Sequence, residues 1–554
     1  MDYNFPTDEA LKDGFASIAT AIGKLADVKT LERDEATGRY KNSAIKAMVD
    51  KHKTGLIYTW RVPAGSPTAL IPVSAAAKRL AATKFVAATA TTPAVDPCNV
   101  EAGPWFHVSA NAGADPDGAP WVVAIDSVDY GFSRIDNSKG NNVYEIAPVV
   151  WQLWEPLENG DALWSVSDTK FTGAVACPDA YLPDGSLRPY MLTPSYPLSM
   201  DSNNNPRSIS GMPVKTRTIS HDSLIDITKC ATTGYGGMSA YDQWYINFHQ
   251  LTKTLNKSSQ VDFQGCSNFN VQFHPVIAES NTTRIVVAAS IAASLPVGCA
   301  LMYGTSNAAS CPDRGASNAY DVFDAAVVEG KETLADGNVA LLMRVAKAFS
   351  TTTDTWVQTS PWNTGSTDEL VGDGQVANDG KHPFKIGGVE TATGAWEVMG
   401  CALFVSDGTG FGIAVNPDSR NEKKGAVADG VVATAACMPL KEGYTLNLQM
   451  VCGLILEKDV GGSSTTGTGD YYYVNVSDQT VKGTIREVLF LGSLGDGTRA
   501  GLRYANANTR SGRANWNIAS RQSVYKQEPK VLAPCLPGAS LSDATGLAWL
   551  KLGR

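Results

Sequence analysis

Near the start of the chain, apolar residues Leu11, Phe15, Ile18, Ile22 and Leu25 recur at spacings of 4, 3, 4 and 3. That rhythm predicts a helix with an apolar heptad seam. Two heptads are too short to hold a helix alone in water, so the seam must lie on the body of the same chain or close an oligomer. The oligomer expected is a homotrimer. A polar, charged stretch from Lys29 to Lys53 follows, ending at the strand-like LIYTWRV of residues 56–62. From there to about residue 230, short apolar or alternating runs such as PWVVAI and VYEIAPVVWQLW are separated by Asp117-Gly118, Asn159-Gly160 and Asp184-Gly185. This is the pattern of strands joined by turns.

At Ser239 the period changes. Ser239 and Asp242 have the spacing of a capping box, and Tyr241, Trp244, Tyr245, Phe248, Leu251 and Leu255 fall on one helical face, which predicts a core helix. Residues 283–350 return to strands, with Asp336-Gly337 as a hairpin turn before VALLMRVAKAF. The stretch Ile285–Pro312 carries no charge, but Pro296, Gly298 and Gly304 interrupt it. It therefore reads as a pair of buried strands and not a membrane helix. A Gly, Asp, Ser and Thr-rich passage at 359–381 leads into a glycine- and aromatic-rich segment up to about 525. No repeat at a fixed period stands out, which disfavours a solenoid or propeller.

These shifts predict a mainly β, multi-domain chain with α+β parts. Its segments are an N-terminal helical attachment segment (1–60), a β-rich domain with an aromatic helix at 239–256 (61–282), a small β domain (283–355), a further domain (356–526) and a C-terminal extension (527–554). Composition agrees: 554 residues, 43% hydrophobic and 18% charged, are globular and long enough for several cores. The formal charge of −9 argues against a general nucleic-acid or anionic-membrane role. Ten cysteines without C-x-x-C spacing read as mostly buried thiols. Acidic residues in MDYNFPTDEALKDGF, where an export signal would be basic and then apolar, lead us to expect no such signal.

Catalytic patterns are missing. The chain has no G-x-S-x-G, no H-E-x-x-H and no G-x-x-x-x-G-K-[ST]; Gly374–Lys381 has one residue too many between its glycines. Six scattered histidines and the turn residues Asp115 and Asp117 suggest no metal or triad. No catalytic residue, cofactor or metal site is expected.

One window departs from the rest. Between Thr484 and Lys526 there are seven basic residues against two acidic ones, 7 − 2 = +5 in a chain of −9. Arg499, Arg503, Arg510 and Arg513 are spread through a Gly, Asn, Thr and Ala-rich background. A long solvated loop would account for this composition. So would a binding surface, since arginine engages carboxylate, phosphate and aromatic partners and adaptable paratopes use Tyr, Asn, Ser, Gly and Arg.

Gly492, Gly497, Ala500, Gly501 and Leu502, followed by Asn515-Trp516-Asn517 and Arg521, resemble the variable region of diversity-generating retroelement target proteins. Those regions lie in a C-type lectin domain shared with formylglycine-generating enzymes. HPFKIGGVE at 382–390 with Trp396-Glu397 looks like an earlier signature of that domain. Further passages, among them VSDTKFTGAVACPDAYLPDGSLRPYML, SISGMPV and SPWNTGSTDELVG, resemble structural proteins of gut-bacterial phages and prophages over roughly residues 100–525. The resemblance departs at Leu494-Gly495, where the family has an aromatic or polar residue, and in the continuation past the window.

The resemblance implies that 356–526 is a C-type lectin-like ligand-binding domain whose face can be rewritten by adenine-directed mutagenesis. Such rewriting excludes Lys, Glu, Gln and Met at varied positions, and Gly492–Arg521 contains none of them. Leu502, Trp516 and Ile518 are expected to anchor the segment. Ser493, Asp496, Arg499, Arg503, Tyr504, Asn506, Thr509, Arg510, Arg513, Asn515 and Asn517 are expected to face outward and contact a partner. The implied role is a tail- or head-fibre protein on the virion surface, made in the bacterial host cytoplasm. It would bind a host cell-surface glycan or protein and other virion proteins, with no nucleic acid and no membrane insertion. The alternative is a purely structural virion protein whose window makes assembly contacts. The enzyme reading of the same fold needs paired reactive cysteines near the window; residues 484–526 have none, and Cys535 stands alone beside a proline.

Overall fold

The computed structural model describes residues 31–65, 68–98, 102–136, 142–182, 185–416, 418–429, 431–464 and 470–524. The heptad seam at 11–25 and the extension at 527–554, with Cys535, lie outside the described residues. The fold is mainly β, with several sheets around one long helix.

That helix, Ala240–Thr254, begins at the expected capping box: the Ser239 side chain accepts the Asp242 amide at 3.2 Å, and the Asp242 carboxylate accepts the Ser239 amide at 2.8 Å. It ends where Leu255 adopts a left-handed φ of 54° and its N–H caps the Leu251 carbonyl. The aromatic stripe is core, as the spacing predicts, but the polar face is buried as well, from Ala240 to Lys253. Long-range partners make this tolerable, because a buried polar group is stable only when paired. Gln243 bonds both backbone groups of Ile455, at 2.7 and 3.1 Å. Lys253 Nζ sits 2.5 Å from Asp96 and 2.6 Å from Asp373.

Sheets surround the helix. A five-stranded antiparallel sheet runs in the order 71–72, 58–62, 162–167, 151–156, 175–176, and a four-stranded one in the order 120–125, 108–114, 142–147, 191–194. The largest sheet is built from 396–406, 411–415, 432–433, 443–451, 454–462, 471–473, 485–491 and 501–506, with 518–519 parallel to the start of 396–406. Trp60 and Trp164 of the first sheet, Trp244 and Phe248 of the helix, and Phe404, Leu456 and Leu502 of the large sheet belong to one apolar cluster. The segments 61–282 and 356–526 thus share a core and do not each close one.

A six-stranded antiparallel sheet, ordered 272–273, 357–360, 300–303, 323–333, 339–344, 284–287, has its own core. The uncharged stretch falls here as two buried strands with the short helix Ala289–Ser294 between them. Asp336-Gly337 makes the predicted hairpin, Gly337 at φ +83°. Of the nine described cysteines, seven are buried and Cys311 and Cys437 half-buried. The last described strand, Ser523–Val524, pairs with Tyr235–Gly236 and adds Val524 to the core of the four-stranded sheet. No helix among the described residues is long and apolar enough to cross a membrane.

Candidate functional site

The arginine-rich window leaves the strand Ile485–Leu491, turns through 492–500, enters the strand Gly501–Asn506, and returns by a loop at 507–517 to Ile518–Ala519. Gly492 takes φ +100°, and a Cβ there would lie 2.5 Å from that of Ala500. At Gly501 a Cβ would overlap the Asp470 carboxylate. Close packing against Ala500 and Asp470 leaves no room for a side chain at either glycine.

Six of the residues expected to face outward are buried. Arg503 is fully buried, paired with Asp470 at 2.8 Å, and donates to the Asn247 and Gln250 side chains at 2.8 and 2.9 Å and to the Lys257 carbonyl. Tyr504 stacks on Trp396 with centroids 6.2 Å apart, and Asn506 lies beside it. The strand is interior to its sheet, between 485–491 and 471–473, and is covered on both faces, so the usual alternation of core and solvent positions leaves no outward side. Ser493 is turned into its own turn, its N–H and hydroxyl both donating to Asp496, at 2.6 and 3.0 Å. Thr509 and Asn517 are held by backbone bonds, their carbonyls accepting from Glu487 at 2.9 Å and Trp396 at 2.8 Å. Asp496 and Asn515 are half-buried; burial raises the Asp496 carboxyl.

Only Arg499, Arg510 and Arg513 stand fully exposed among the eleven. They fall into two groups at opposite ends of Gly501–Asn506, a strand length of about 17 Å. At one end Arg499 lies over the Tyr471 ring, 5.8 Å away, beside Thr498, whose hydroxyl is 2.9 Å from that of Tyr444. At the other, Arg510 and Arg513 share a turn closed by a 2.9 Å backbone bond. Below it, burial holds the Glu487 carboxyl well above its usual range, and the His221 amide donates to it at 3.1 Å. None of the three exposed arginines is in an ion pair among the described residues.

The expected anchors Leu502 and Ile518 are buried, while Trp516 is half-buried under the Arg314 guanidinium at 4.9 Å. Leu494, where the sequence departs from its resemblance, is a further anchor: fully buried in the core of the six-stranded sheet, its N–H bonds Gly394 and its carbonyl accepts from Phe269. Arg521 is the window's other buried arginine, paired with Glu397 at 2.6 Å. Asp115 pairs with Arg39 at 2.8 Å and Asp117 caps the Ala119 amide. Among the described residues no group of three or more His, Cys, Asp or Glu could hold a metal ion. A second group, His107, Glu145 and Lys385, lines a cavity away from the window; Lys385 falls in the 382–390 passage, but no spacing links it to the other two. No protein-family model matches the chain, and no curated protein matches it.

Proposed function

We propose that the chain is a phage virion-surface protein, part of a tail or head fibre, that binds a host or environmental ligand through a C-type lectin-like region at 356–526. The carrying observation is the division within the window: its glycine and apolar positions and Arg503 tie it to the scaffold, while Arg499, Arg510 and Arg513 project unpaired into solvent. Exposed guanidinium groups, that of Arg499 over the half-buried Tyr471, suit an anionic partner, because arginine makes forked bonds to carboxylate and phosphate and stacks on rings. The ligand class is therefore an acidic surface glycan or glycopolymer. The lectin reading draws support from Ile518–Ala519, which bring the end of the window back beside the strand starting at Trp396.

The test is binding of the full chain to an array of anionic glycans that includes polyol-phosphate and uronic-acid polymers. Changing Arg499, Arg510 and Arg513 together to alanine is expected to weaken binding at least tenfold; unchanged binding would refute the proposed face. The alternative reading is a structural virion protein with the window as an assembly contact, and burial of the window between subunits would favour it. It predicts that 498–513 becomes protected from hydrogen exchange on assembly, without any glycan.

A further inference from the structure

A cavity of about 510 Å³ opens where the four-stranded sheet meets the helix Asn42–Lys51 and the segment 371–388. It shares no residue with the window. Its volume lies within the roughly 300–1,000 Å³ of small-molecule sites. Its apolar lining is Met48, Phe106, Ile125, Val128 and Val371.

The rest of the lining is polar, and one of its acceptors is unfilled. Glu145 is fully buried; its Oε1 takes the hydroxyls of Ser109 and Ser195, at 2.7 and 2.8 Å, and its Oε2 has no partner among the described residues. The carboxyl lies against the Gly387-Gly388 turn, where φ is +57° and +76° and a Cβ on Gly388 would come within 2.5 Å of the Glu145 carboxyl carbon. An unmatched carboxylate oxygen in such a place costs free energy until a donor reaches it. Beside it, His107 places Nδ1 2.9 Å from the Trp105 carbonyl. A carbonyl only accepts, so Nδ1 carries the proton and Nε2 is left as a second acceptor.

Donors complete the polar lining. Arg134 is fixed by Asp126 at 2.7 Å, and Lys385 by the Leu370 and Thr367 carbonyls at 2.8 and 3.2 Å, which leaves N–H groups of both cations for a ligand. The lining mixes both signs, with Asp126, Glu145 and Asp373 against Arg134 and Lys385; Asp126 is paired with Arg134 at 2.7 Å, and Asp373 with the nearby Lys253 at 2.6 Å. A charged ligand would gain little here. A neutral ligand that both donates and accepts, with one apolar face, matches this lining.

We infer that this cavity binds a neutral polyhydroxylated ring of monosaccharide size, whose hydroxyls donate to Glu145 Oε2 and His107 Nε2 while its C–H face lies on Phe106 and Val128. The probes are methyl glycosides of glucose, galactose, mannose and N-acetylglucosamine, titrated by ligand-observed NMR into the full chain, with glucuronic acid and glucosamine as charged controls. At least one neutral glycoside should bind, more tightly than either charged control. Glu145→Gln, which turns an acceptor toward an amide, and Val128→Trp, which fills the cavity without touching the carboxylate, should each weaken it tenfold or more. Melting curves identify any variant that fails to fold, and the other variant then decides. No saturable neutral ligand, tighter binding of a charged control, or wild-type affinity in a folded variant would overturn the assignment.

Discussion

Arg503 and Arg510 lie seven positions apart in one window and do opposite work. Arg503 sits on an interior strand with its guanidinium divided among Asp470, Asn247, Gln250 and Lys257; Arg510 sits on a turn in solvent. The difference teaches that residue type does not decide which arginine can meet a partner. The backbone decides: a central strand has neighbours on both edges and, here, cover on both faces, whereas a turn has neither.

Removing each arginine should therefore break the pair apart. Arg503→Ala leaves Asp470 buried without its counter-charge, and the expected loss is about 3–5 kcal/mol in denaturant unfolding. If the loss instead matched that of a surface change, the interior strand would not be the scaffold. Leu494→Ala empties a core position on the scaffold side and should cost about 2–5 kcal/mol, again by denaturant unfolding. It should also loosen the contact between the window and the six-stranded sheet.

The interior and the rim should also differ in their response to pH. Burial pushes the Glu457 carboxyl from 4.5 up to about 8 and that of Glu390 up to about 7. Burial lowers His221, but hydrogen bonds to Asp222 and Glu422 overcome this and raise it from 6.5 to about 9. All three hold a proton in the folded chain that the unfolded chain has already lost. Their stabilisation is full below the unfolded pKa and disappears as pH rises through the folded one. The melting temperature should fall from about pH 4.5 to about pH 9, and Glu457→Gln should flatten that fall and raise the midpoint at the alkaline end. A melting temperature that rose over this range would contradict the sign. At the rim, Arg510→Ala and Arg513→Ala should change stability by no more than about 0.5 kcal/mol, the smallest effect and the contrast that completes the comparison.

Local features were legible in the sequence. The capping box at Ser239, the hairpin at Asp336-Gly337 and the buried strands at 284–287 and 300–303 depend on residues close in the chain. What was not legible depends on distant ones. The partners of Lys253 are Asp96 and Asp373, and those of Arg503 include Asn247 and Asp470; nothing near either cation announces its burial. Composition grouped Arg499, Arg503, Arg510 and Arg513 as one outward set, because sheet position and the cover over a strand are tertiary facts. The cavity joins His107, Glu145 and Lys385 from distant stretches of the chain, and no local spacing links them.

The central claim is that one short window holds both a buried scaffold strand and a solvent-facing rim. Hydrogen exchange across 492–521 in the free full chain tests it residue by residue. The amides of Leu502–Asn506 should exchange at the slow rate of the global core, while those of Thr498, Gly512 and Ala514 exchange orders of magnitude faster. Equal and rapid exchange across the whole window would contradict the account, because the strand would then be as open as the turns.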